Sequence, residues 1–184
     1  MLSIFRSLGA LCIDADRIVA GLLEDRPVLR RIRRAAGAGV FDDGILSKKR
    51  LADLIFADRK VREAVEGILH PIVMERIEKE LLKAAKKTGA AFVEVPLLYE
   101  KGYEGAFDKV VAVYADPRTA LARLERSGIS RESAMKRLRV QMPIARKIKR
   151  ADYVIDNQNG MELTARQARR VYGELAGERH GKKK

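Results

Sequence analysis

At 184 residues, with 47% hydrophobic and 34% charged side chains, the chain is long enough for one globular domain with its own core. No apolar run reaches bilayer length, and Met1-Leu2-Ser3-Ile4-Phe5-Arg6 has neither the cationic start nor the cleavage site of a signal peptide. A cytoplasmic protein without membrane contact is expected. The net charge of +13 calls for an anionic partner, and nucleic acid, phosphorylated metabolites or simple solubility would all satisfy it.

Taken in chain order, four short apolar segments read as buried parallel strands: Leu11-Cys12-Ile13, 91–95, 109–114 and Tyr153-Val154-Ile155. The lone Cys12, set among apolar neighbours, reads as a buried and inert thiol. Helical stretches separate the strands. Leu51, Leu54 and Ile55 share one apolar face, as do Ile68, Ile72, Ile77, Leu81 and Leu82, with an interruption expected at Leu69-His70-Pro71. Asp116-Pro117 signals a helix start running to Arg126, and Ser130 begins the next helix. A last helix, about Glu162 to Leu175, is expected to turn Leu163, Ala168, Val171 and Leu175 inward. Strands alternating with helices make the class α/β. One domain over 1–180 is expected, with Gly181-Lys182-Lys183-Lys184 as a basic tail.

Polar residues stand where strands end, which is where an open α/β sheet binds its ligands: Asp14 and Asp16, Pro96 and Glu100, Asp116, and Asp156-Asn157. Asp16 is open to two readings, an N-cap for the following helix or a carboxylate that takes a proton from an attacking hydroxyl while its neighbour helps hold a metal. Arg123, Arg126, Arg131, Arg137, Gln141 and Lys147 recur at helical spacing opposite Leu121, Leu124, Met135 and Leu138. They fit either a solvated face or a phosphate clamp, since phosphoryl transfer needs mainly positioning and cations. No second histidine or cysteine lies at ligand spacing from His70, so zinc is not expected.

Together, Ile13-Asp14-Ala15-Asp16, Leu69-His70-Pro71, Val95-Pro96-Leu97-Leu98-Tyr99-Glu100 and the series Arg126, Arg137, Gln141, Lys147, Ala151-Asp152, Ile155-Asp156-Asn157 resemble the dephospho-CoA kinase family in order and spacing, over residues 2 to 172. The resemblance implies a P-loop kinase-like three-layer fold: a parallel sheet, a helical acceptor-binding region at about 28–88 and an arginine-rich lid with its flanks at about 123–150. It implies transfer of the γ-phosphoryl group of ATP, with Mg²⁺, to the ribose 3′-hydroxyl of dephospho-CoA. Asp16 matches the base, with Asp14 supporting it or the metal, and Arg123 matches the arginine at the transferring phosphate. Arg126, Arg137, Gln141, Lys147 and Asn157 fall on the ATP side, and His70, Lys48, Leu97 and Glu100 on the dephospho-CoA side. Lys48 stands where the family often has arginine, which keeps the charge and loses the planar fork. The implied partners are ATP and dephospho-CoA, the protein being a monomer or weak homo-oligomer.

The family begins with a strand and Gly-x-x-x-x-Gly-Lys-Ser/Thr, which the 184 residues do not contain. Counting back from Asp14, Met1 is expected to fall just beyond that loop, so that the first central strand lies outside the chain. Gly39 and Gly44 have the loop spacing but continue into Ile45-Leu46, and read as a turn around Asp42-Asp43-Gly44. Two other readings stay open. One is a non-catalytic remnant that binds CoA-like ligands or nucleic acid, the latter disfavoured by 5% aromatics. The other is a kinase of another small nucleotide acceptor.

Overall fold

The computed structural model describes residues 1–84 and 89–181, without the side chains at 84, 136, 137, 140 and 178–181. They group into two compact units, Cys12–Glu94 and Met1–Leu11 together with the chain from Val95 onward. Residues 85–88, at the far edge of the expected acceptor region, and 182–184 of the expected tail lie outside the described residues.

In the Cys12–Glu94 unit, β1 (Leu11–Asp14) leads into α2 (Ala15–Leu22), after the short α1 (Leu2–Ser7) of the other unit. Next come α3 (Arg26–Ala36), the hairpin β2 (Phe41–Asp42) and β3 (Ile45–Leu46), α4 (Lys48–Ala57), α5 (Arg59–Ala84) and β4 (Ala91–Glu94), which pairs with β1. Asp43 and Gly44 close the hairpin with φ of 47° and 83°, the left-handed pair that a two-residue turn of matching twist demands. The turn expected at Asp42-Asp43-Gly44 is thus the tip of a hairpin.

Helix α5 continues through Pro71, where a break was expected. Proline gives no N–H to the Gly67 carbonyl and crowds it, at a cost of about 3 kcal/mol. Against this, Val65, Ile68, Leu69, Val73 and Ile77 bury one continuous stripe, and α5 packs on α2, α3 and α4. Burial of that stripe, at roughly 1.5–3 kcal/mol per side chain, outweighs one lost bond. Leu82, expected on the same face, is 68% exposed, because the stripe ends before the last turn. Cys12 is half-buried, not buried as expected, since it lies on the face of β1 opposite Ile13.

In the other unit, β5 (Val111–Tyr114) is followed by α6 (Pro117–Arg126), α7 (Arg131–Val140), α8 (Ile144–Arg150), β6 (Tyr153–Asp156) and α9 (Met161–Gly181). The helix starts are those expected: Asp116 caps α6 through the amides of Arg118 and Thr119, and Ser130 caps α7. β5 and β6 pair in parallel, Val111 opposite Tyr153 through Tyr114 opposite Asp156. α9 packs on β6 and α1, burying Ala168 and Val171. Leu163, expected inward, is 43% exposed, and Thr164 takes the inner position at 1%. Its hydroxyl can go there because it lies 3.0 Å from the Gly160 carbonyl and is thereby satisfied. Ile155 is fully buried at the centre of this unit. Ile155→Ala is expected to lower unfolding free energy by about 2–5 kcal/mol, read as a shift in urea midpoint.

Candidate functional site

The β1–α2 junction carries the paired carboxylates. Asp14 ends β1 with extended backbone, and its Oδ1 accepts the Arg17 amide at 3.1 Å. The N-cap reading considered for Asp16 therefore belongs to Asp14. Asp16 sits in the first turn of α2, exposed, where a negative charge suits the helix N-terminus. In the same unit His70 lies half-buried near the middle of α5. Lys48 opens α4 and reaches Glu24 at 3.3 Å, with both side chains more than half exposed, so the pair adds little stability. A shallow cleft between α3 and the hairpin is lined by Arg26, Leu29, Arg30, Arg33, Phe41 and Gly44. The Arg33 guanidinium stands 5.6 Å from the Phe41 ring centroid.

The other unit carries the helices of the expected arginine-rich lid, α6 to α8. Arg123 and Arg126 occupy the last turn of α6, where a cation meets the negative end of the helix dipole. Arg123 is half-buried and Arg126 exposed. Gln141 ends α7, half-buried. Arg137 belongs to α7, but its side chain lies outside the described residues.

After β4, the segment from Pro96 to Tyr103 folds on itself through Lys101 N to Leu97 O and Tyr103 N to Leu98 O. Leu97 is half-buried in this turn, and Glu100 projects from it. Glu100 Oε1 accepts the Met142 amide at 2.5 Å and the Lys147 ammonium at 2.8 Å. Lys147 Nζ is also 3.4 Å from the Pro96 carbonyl. Two residues expected on opposite substrate sides, Glu100 and Lys147, are thus partners, with side chains only 13% and 14% exposed. One turn further along α8, Arg150 lies 4.6 Å above the Tyr99 ring and pairs with Glu104.

Burial opposes the Glu100 charge, yet the bonds from Lys147 and Met142 hold its carboxyl below the usual glutamate value. A depressed folded pKa stabilises the fold fully above the unfolded value, and the contribution is lost as pH falls through the folded one. Glu100→Gln is therefore expected to lower the urea midpoint by a constant amount above about pH 5.5, with the gap narrowing as the pH falls below about 4.5. A gap independent of pH would contradict this.

Asn157 follows β6, its amide donating to the Tyr114 carbonyl at 2.8 Å and its side-chain oxygen 3.1 Å from the Thr164 hydroxyl. Gln167 was not singled out by sequence, yet its side-chain amide copies a neighbouring strand. Oε1 accepts Asp156 N and Nε2 donates to Asp156 O, both at 2.9 Å. Its signal, a polar residue on the inner side of an amphipathic helix, is too common to read unaided.

Carboxylates at a strand end and helices bearing guanidinium groups are the equipment of a phosphoryl-transfer enzyme of the α/β kinase class. Two solved structures share the fold. One is a Thermus thermophilus protein at TM-score 0.80 and 33% identity, covering 94% of this chain and 88% of that one. The other is a dephospho-CoA kinase from Campylobacter jejuni at 0.68 and 28%, covering 96% and 90%. Curated relatives include the dephospho-CoA kinases of Aquifex aeolicus, 36% identical over 93% of this chain and 88% of its own, and of Enterococcus faecalis, 33% identical over 97% and 92%. The dephospho-CoA kinase family model matches residues 1–162, and the chain belongs to that family.

Proposed function

We propose that the protein transfers the γ-phosphoryl group of ATP to the ribose 3′-hydroxyl of dephospho-CoA, giving CoA and ADP, in the cytoplasm and as a monomer or weak homo-oligomer. Family membership across residues 1–162 carries this reading. No described helix is long and apolar enough to cross a membrane.

Each residue takes a role on its own unit. Asp16, exposed in the first turn of α2, accepts the proton of the attacking 3′-hydroxyl. Arg123 meets the charge that spreads over the transferring group. Arg126, Arg137 and Gln141 serve the phosphates of ATP, Lys147 stands among them on α8, and Asn157 serves the adenine. His70, Lys48, Leu97 and Glu100 belong to the dephospho-CoA side by their match to the family pattern. No cluster of three ligating residues exists among the described residues. With ATP bound, the Asp14 carboxylate would be the protein group holding a Mg²⁺ ion, the remaining ligands being supplied by phosphate and water, as magnesium sites of this kind commonly are. When bound it would neutralise phosphate charge.

The loop that cradles the β- and γ-phosphates has no counterpart in these 184 residues. Its lysine and hydroxyl carry much of the ATP binding in this class. The direct test joins the strand and loop of the Aquifex relative ahead of Met1. The chimera is expected to phosphorylate dephospho-CoA, and the 184 residues alone to do so at least about 100-fold more slowly. A chimera that prefers AMP as acceptor would favour a kinase of another nucleotide.

A further inference from the structure

The Glu100 carboxylate sits where the chain needs an anchor. Pro143 biases Met142 away from helical geometry, so α7 stops at Val140 and α8 restarts at Ile144. The break between them leaves the Met142 amide outside either helix ladder. Glu100 Oε1 takes that amide at 2.5 Å, and the same oxygen takes the ammonium of Lys147, one turn into α8, at 2.8 Å. One carboxylate oxygen thus holds both sides of the turn with charge-assisted bonds, from a loop that its own backbone bonds stiffen. The next turn of α8 is held in parallel by Arg150, against the Tyr99 ring and Glu104. Lys147 is 14% exposed and satisfied by Glu100 and the Pro96 carbonyl.

We infer that Glu100 is a positioning residue that acts through Met142 and Lys147, fixing the α7–α8 turn and with it the arginine-bearing α6–α7 segment. This rests on the kinase reading and alters one of its assignments: Glu100 serves the ATP side through the protein and does not touch dephospho-CoA.

The test has two arms. In the 184-residue chain, amide exchange is followed by NMR from 138 to 147. Glu100→Ala is expected to speed exchange at Met142 and along the start of α8 by at least about 10-fold. Glu100→Gln, which keeps an acceptor, is expected to leave Met142 protected, and adding Lys147→Met to it is expected to restore α8, because removing both charges leaves none stranded. Unchanged exchange in Glu100→Ala would overturn the anchor. In the loop-bearing chimera, Glu100→Ala is expected to lower kcat about 10-fold, with the KM for dephospho-CoA within about twofold, the pattern of misplaced catalytic groups. A raised KM for dephospho-CoA at unchanged kcat would make Glu100 a substrate contact and overturn the positioning role. If the parent chimera leaves dephospho-CoA unphosphorylated, the functional reading falls, and exchange at Met142 still decides the anchor.

Discussion

Asp16→Asn in the loop-bearing chimera is expected to lower kcat about 10²–10⁴-fold, the range lost when a positioned general base is removed, with little change in KM. The exposure of Asp16 makes the result interpretable. At this exposed first-turn position Asn keeps the shape of Asp, and the charge it removes is worth roughly 0.3–1 kcal/mol against the α2 dipole, so the fold should be retained, with circular dichroism as the check. Asp14 is different because it caps α2 through the Arg17 amide. Asn caps a helix as well as Asp does, so Asp14→Asn keeps the fold and tests the charge alone, whereas Asp14→Ala should also destabilise by roughly 1 kcal/mol. A larger kcat loss in Asp14→Asn than in Asp16→Asn would exchange their roles, making Asp14 the base.

Arg123→Met is expected to lower kcat about 10²–10³-fold, the size of effect seen when one preorganised donor to a developing charge is deleted. At the end of α6 its structural contribution is a dipole interaction worth under about 1 kcal/mol, so circular dichroism and the melting temperature should hold. Arg123→Lys should recover only part of the rate, since an ammonium keeps the charge without the planar fork. Steady-state rates for the three forms, at saturating ATP and dephospho-CoA, check this. Equal kcat in wild type and Arg123→Met would remove Arg123 from the chemistry.

Local signals were legible because they act over three or four residues. Asp116-Pro117 and Ser130 start helices where their side chains reach the next amides, and the four strand segments lie within a residue or two of their expected places. Periodicity misled where hydropathy alone was counted. Thr164 turns inward instead of Leu163 because hydrogen bonds satisfy its hydroxyl, which no apolar pattern registers. Pro71 stays inside α5 because packing along Val65 to Ile77 outweighs a local preference. At the site, motif order marked Glu100 and Lys147 as functional, but their direct bond joins residues far apart in the chain and has no local signature. The same holds for Gln167 on Asp156 and for Arg150 over Tyr99.

The acceptor is decided by incubating the loop-bearing chimera with ATP, Mg²⁺ and an equimolar mixture of dephospho-CoA and AMP, then identifying the products by mass spectrometry. CoA carrying a new 3′-phosphate, formed in large excess over ADP made from AMP, is the predicted result. Phosphorylation of AMP with dephospho-CoA untouched would contradict it.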